Sequence, residues 1–311
     1  VIDRNEIWTG GINELAMAKQ PLRPAGRIGL YDTTLRDGEQ TVGTVLDPDA
    51  KLRIARALDR LGIERIEAGF PRVSEQDREA IRSVMEAGLE AEVWGFSRAH
   101  PKDLEALLEL GVRAAVIEAP VSEGKLAAYG MSREKITSRI VEAVSHAARA
   151  GMTVAFFGVD GSRAELDFLE RIYSSAVEAG AAEVVMVDTL GAATPEAASL
   201  LVSECRRWVG EQVPIHWHGH NDFGLATAAA IAAVRAGATW IHGTINGMGE
   251  RAGNANLGEV AIALDALYGA ELGLRFEHLL ETSRLVRELS GYELEPYKPV
   301  TGENLFVRES G

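Results

Sequence analysis

What most constrains this chain is a unit repeated eight times between residues 27 and about 268. Each unit has a short β-branched apolar run, a polar loop, an amphipathic helix and a glycine. The apolar runs fall at 27–31, 65–68, 92–96, 114–118, 153–159, 183–187, 214–218 and 240–245. Between them Ala, Leu, Arg and Glu recur at helical spacing. Helices end alike at Leu61-Gly62, Leu110-Gly111 and Ala236-Gly237, because a glycine just past a helix takes the left-handed cap without a Cβ penalty. Strands that alternate with helices pair in parallel through crossovers, and eight of them close most simply into a (β/α)8 barrel. The alternative, an open doubly wound sheet, carries a Gly-rich phosphate turn after its first strand, and Asp32-Thr33-Thr34-Leu35-Arg36-Asp37-Gly38 is not that turn. The expectation is an α/β TIM barrel over residues 27–275. Residues 1–26 form a short N-terminal arm whose role the sequence does not disclose. Residues 276–311 form a helix and the start of a C-terminal extension toward a further subdomain, so a longer protein is expected.

Composition excludes several functions. Acidic residues outnumber basic ones 46 to 32, for a net charge of -14. A nucleic-acid binder needs a basic footprint to replace phosphate counterions, and a protein held on anionic lipid needs one too. Neither nucleic acid nor a membrane is therefore an expected partner. No run approaches the roughly 18 apolar residues of a membrane span, and the first residues lack a secretory signal. The single cysteine, Cys205, fits a reducing cytoplasm.

In a barrel of this kind the reactive groups lie at the C-terminal strand ends and in the loops that follow. His218 and His220 are two apart, so on a continuing strand both point to one face. Two imidazoles on an inward face can bind a divalent metal. The seventh, eighth and first strands are neighbours once the barrel closes, which lets Asp37 and Asn254 meet the histidine pair. Two imidazoles, a carboxylate and an amide oxygen suit Mn, Mg or Zn with water positions left open. Arg36, beside Asp37, would stabilise oxyanion charge on a bound carbonyl; otherwise it is an ion-paired arginine. Thr189 could bond a substrate carboxylate or its own turn. Glu67 could pair with an arginine inside the barrel, and Glu250-Arg251 could be an ion pair holding its loop.

At these residues the sequence resembles a known family. Asp32 to Gln40, the His-x-His-Asn-Asp segment and Gly249-Glu250-Arg251-Ala252-Gly253-Asn254 look like the signatures of the DRE-TIM metallolyases. Within them they resemble the Claisen-condensing branch of 2-isopropylmalate, homocitrate and citramalate synthases. The lyase branch has a cysteine in the last glycine loop, and none occurs here. The resemblance implies a metal at Asp37, His218, His220 and Asn254, carbonyl polarisation by Arg36, and carboxylate binding by Thr189. It also implies contacts to the 2-oxo acid from Gln40 and His100, in the manner of homocitrate synthases. Acetyl-CoA as co-substrate, 2-oxoglutarate or another anionic 2-oxo acid as acceptor, and a homodimer follow from the same likeness.

Two departures leave the base open. The family's Glu-Asp after the fifth strand reads Val159-Asp160, and the histidine of its tail is replaced by Arg308. Arginine stays protonated and cannot accept the proton. The base is then expected among Glu118, Asp160, Glu309 or a metal-bound water, with Arg308 on an anionic group of substrate or CoA. The competing functions are a retro-aldol lyase or aldolase using the same metal chemistry, and a binding relative that has lost its base.

Overall fold

The computed structural model describes residues 9–22 and 27–309. Eight parallel strands close a barrel in sequence order. They are β1 (Gly29–Asp32), β2 (Arg65–Glu67), β3 (Glu92–Arg98), β4 (Ala114–Pro120), β5 (Thr153–Val159), β6 (Glu183–Asp188), β7 (Ile215–Gly219) and β8 (Trp240–Gly243). Closure is made by β8 against β1, with Gly29 opposite Trp240 and Asp32 opposite Gly243. The register requires a glycine here, since a Cβ at residue 29 would run into the Trp240 indole.

Helices cover the outside: α2 (Pro48–Leu61), α3 (Glu75–Met85), α4 (Pro101–Glu109), α5 (Glu123–Ala128), α6 (Arg133–Arg149), α7 (Leu166–Glu178), α8 (Pro195–Val209), α9 (Ala226–Arg235) and α10 (Leu257–Ile262). Their boundaries follow local chemistry. Asp47 caps α2 by accepting from the Ala50 N–H, Pro48 occupies its first turn, and Gly62 ends it at φ 91°. Two apolar cores result. The larger lies between strands and helices. The smaller fills the barrel with Tyr31, Trp94, Phe96, Val116, Phe157, Val185 and Val187. At the strand starts, Arg65 lies 3.7 Å over the Trp240 ring and 4.6 Å over Trp94 and donates twice to Glu183, at 2.6 and 3.0 Å. That plug seals the bottom of the barrel, and the mouth at the strand ends stays open.

The first strand starts two residues later than its apolar run. The eighth stops at Gly243, before a short turn in which Asn246 takes φ 65° and breaks the extended path. In the N-terminal arm, α1 (Gly11–Lys19) buries no side chain, and Gln20 accepts from Arg235 at 3.0 Å. Past the barrel, α11 (Leu279–Ser290) packs on α2, and Arg287 pairs with Glu293 and Glu303 of the tail. No helix among the described residues is long and apolar enough to cross a membrane.

Candidate active site

The tip of β7 supplies His218, and His220 follows one residue past the strand. The loop after β1 supplies Asp37. Barrel closure brings them together: His218 Nε2 lies 3.3 Å from Asp37 Oδ2, His220 Nε2 lies 3.7 Å from the same oxygen, and the two Nε2 atoms are 3.4 Å apart. Two bonds of about 2.1 Å at a tetrahedral angle span roughly 3.4 Å, so this triangle fits one ion. All three residues are buried. Both Asp37 oxygens and the Asn254 Oδ1 have no hydrogen-bond partner, a cost of ~1–3 kcal/mol for each such atom if nothing satisfies it. Burial alone would raise the Asp37 pKa, but Arg36 and the two imidazoles outweigh it and hold the carboxyl well below its usual range. Burial lowers His220 to about 4, keeping its ring neutral and able to ligate.

Asn254 is buried beside His220, to which it is bridged through the backbone. Its amide donates to the Met248 carbonyl at 3.0 Å, which turns the free Oδ1 away as an acceptor. The glycine loop around it is tight, since a Cβ at Gly253 would collide with the Gly247 carbonyl. Arg251 ties this loop down: it donates to Asp222 at 2.7 and 3.0 Å, to Glu250 at 3.2 Å and to the Thr189 carbonyl at 2.6 Å.

Arg36 stands next to the triad. Its Nε donates to Glu67, its Nη1 lies 3.6 Å from Asp37, and its guanidinium lies 4.1 Å over Phe96. Tyr31 donates to the other Glu67 oxygen at 3.0 Å. Arg36 is thus ion-paired, as one reading of the sequence had it, yet Nη2 is buried with no partner.

The opposite wall, at β3 to β5, holds a cavity of about 420 Å³ lined by Arg98, His100, Glu118, Tyr129 and Arg139 among others. Glu118 is half-buried and its carboxyl makes no hydrogen bond; burial, only partly countered by Arg36 and Arg98, pushes that carboxyl up to about 7. His100 caps α4, its Nδ1 accepting from the Lys102 N–H at 3.3 Å. Gln40 is exposed in the turn after Asp37.

Asp160, expected among the bases, is tied into an ion pair. It takes φ 67°, accepts from Arg163 at 2.8 and 2.7 Å and from Ser122 at 2.5 Å. Burial pushes its pKa up, but these bonds outweigh it and leave the carboxylate lowered, a poor proton acceptor. Its N–H donates to Thr189 Oγ1 at 2.8 Å, so the Thr189 hydroxyl keeps its own proton to donate. Arg308 and Glu309 are exposed in the tail and form no ion pair among the described residues. Sequence reasoning missed His216, although 216, 218 and 220 share the two-residue period that singled out the other two. It also passed over Arg65 and Glu183, charged residues inside apolar runs that meet His216 in the barrel.

The HMGL-like family model matches residues 27–286. A homocitrate synthase from Methanopyrus kandleri is 47% identical over 283 residues, 91% of this chain and 71% of its own length. A protein of the same organism, provisionally named an (R)-citramalate synthase, is 45% identical over 289 residues. That match takes in 93% of this chain but 57% of the relative, so this chain spans little more than half of its length. The solved hydroxymethylglutaryl-CoA lyase of Pseudomonas aeruginosa superposes with a TM-score of 0.76 at 21% identity, over 87% of this chain and 95% of that one, a likeness of fold. The chain belongs to the HMGL-like family, in the Claisen-condensing DRE-TIM branch that its motifs resemble.

Proposed function

We propose that this chain catalyses a metal-dependent Claisen-type condensation of acetyl-CoA with a 2-oxo acid, releasing CoA and a 2-alkylmalate-type product. The observation that carries the reading is the closed triangle of Asp37, His218 and His220, with unpartnered buried donor atoms beside the free Nη2 of Arg36. A divalent Mn, Mg or Zn ion held there, with Asn254 as a further oxygen ligand, would act as a Lewis acid toward the 2-oxo acid. Arg36 Nη2 donates to the carbonyl oxygen as negative charge develops on it. The Thr189 hydroxyl donates to the carboxylate. Glu118 takes a proton from the acetyl methyl, its raised pKa matching the task. The resulting carbanion forms a C–C bond to the carbonyl carbon, the C=O electrons move to oxygen, and that oxygen takes up a proton. Water then cleaves the thioester, leaving a carboxylate and free CoA.

His100, Arg98 and Arg139 line the cavity beside Glu118 and favour an acceptor with an anionic far end, such as 2-oxoglutarate. The likeness to the branch further supports a homodimer in the cytoplasm, with the exposed Arg308 and Glu309 free to reach an anionic group of substrate or CoA. The test is thiol release from acetyl-CoA with a panel of 2-oxo acids and each ion in turn. Acceptor-dependent release of CoA supports the reading. Product from a hydroxy acid alone, or metal binding with no thiol release from any acceptor, overturns it.

A further inference from the structure

Arg36 keeps a free nitrogen although a carboxylate stands beside it. The Nε and Nη2 edge of a guanidinium matches the two oxygens of a carboxylate, and such pairs frequently close on both bonds. Here only one bond forms. Arg36 Nε donates to Glu67 Oε1, Glu67 Oε2 accepts from the Tyr31 hydroxyl at 3.0 Å, and Arg36 Nη2 is left buried with no partner. The Arg65–Glu183 pair at the bottom of the same barrel shows the alternative: it has no tyrosine on its carboxylate and closes on both nitrogens, at 2.6 and 3.0 Å. A buried donor without a partner is costly, so something has to stop Glu67 from turning to meet Nη2.

Tyr31 is placed to do so. It and Glu67 are fully buried. The Tyr31 ring stacks on His242 at 4.0 Å and 8° and meets Trp94 edge to face at 5.6 Å, so the hydroxyl has little room to leave. The guanidinium itself is held on its other sides, with Phe96 4.1 Å from its centre and Asp37 3.6 Å from Nη1. We propose that the Tyr31 hydroxyl, by claiming the second oxygen of Glu67, keeps the Arg36–Glu67 pair to a single bond and so reserves Arg36 Nη2 for the carbonyl oxygen of the 2-oxo acid. Tyr31 and Glu67 are positioning residues. Without the hydroxyl, Glu67 turns, the fork closes on Nε and Nη2, and the donor is no longer free when charge develops on the carbonyl.

This inference rests on Arg36 as the carbonyl donor of the proposed condensation, and the experiment separates the two. Thiol release from acetyl-CoA is compared for the full-length wild type, Tyr31→Phe, and Tyr31→Phe combined with Glu67→Gln. Phe keeps both ring contacts and removes only the hydroxyl. Its kcat falls about tenfold or more, up to the ~10²–10³ that a lost oxyanion donor costs, while KM for the acceptor changes little. A glutamine has a single acceptor oxygen, so it can hold Nε but cannot also take Nη2, and the double variant recovers turnover relative to Tyr31→Phe. A hydroxyl that only supports the fold predicts the reverse, since a second loss in the same cluster would not restore the rate. Turnover retained in Tyr31→Phe, or a double variant no better than the single one, overturns the inference and leaves the condensation standing. A wild type that releases no thiol with any acceptor overturns the proposed function instead. The crystal structure of Tyr31→Phe then decides the inference without any turnover: Glu67 bonded to both Nε and Nη2 supports it, and Glu67 unmoved with Nη2 still unpaired overturns it.

Discussion

The two walls of the barrel mouth are built on opposite rules. On the β7–β8–β1 side the atoms are held close: Asp37, His218 and His220 are buried, 3.3 to 3.7 Å apart, and Arg251 ties the neighbouring glycine loop to Asp222. On the β3–β5 side the carboxyl of Glu118, the proposed base, has no hydrogen-bond partner and lines a cavity of about 420 Å³. The first wall suits an ion, whose ligand geometry is the same for every acceptor. The second suits whatever distinguishes one acceptor from another, and a proton that must come and go.

The largest effect should come from dismantling the fixed wall. His218→Ala combined with His220→Ala removes the stoichiometric ion, as elemental analysis after dialysis would show; unchanged metal content would erase the contrast. Next is Arg36, which bridges the walls. Arg36→Ala keeps the metal and lowers turnover by about 10²–10³, and Lys does not restore it because it lacks the planar fork. A fall of less than threefold would make Arg36 a strut for Glu67.

Glu118→Gln lowers turnover by about 10² and removes the acid limb near pH 7 from the rate profile. Stability supplies a check independent of substrate. Burial raises the folded pKa of Glu118 from the ordinary carboxylate range to about 7. Its contribution to stability is therefore full below the unfolded pKa and is lost as pH rises through about 7. Glu118→Gln should melt higher than the wild type above pH 7, with no such gain at pH 4. The neighbouring Asp160→Asn gives the opposite sign, since Asp160 is lowered by Arg163 and Ser122: it melts lower at neutral pH, and turnover falls less than tenfold. Arg163 is half exposed, so solvent screens much of that pair. The smallest effect is at the tail, where Arg308→Ala raises KM for an anionic substrate about threefold and Arg308→His gives no gain in turnover.

The fixed wall was also the legible one. Period two put His218 and His220 on one face, and strand counting put Asp37 and Asn254 next to them, because closure makes the first and last strands neighbours. The strand ends were less legible, as at Asn246, where one left-handed residue stops β8. Glu118 and Asp160 show the limit more sharply. Both are carboxylates at adjacent strand ends, and sequence gave them the same candidacy. What separates them is Arg163 and Ser122 around one and a cavity before the other, and neither follows from periodicity. The ion pair inside the barrel was hidden in another way: Arg65 and Glu183 sit 118 positions apart, and nothing local announces that they meet.

Barrel closure carries a consequence in time. Asp37 lies about 180 positions before His218 in the chain, and they become neighbours through the pairing of β1 with β8. Contacts this distant form late, after the loop between them has lost its freedom. A nascent chain that has emerged as far as β6 holds the carboxylate but neither imidazole, and so offers no chelate to scavenge ions from its surroundings. Capture of the proposed ion would in this sense be a certificate of completion, issued once the last strand has found the first.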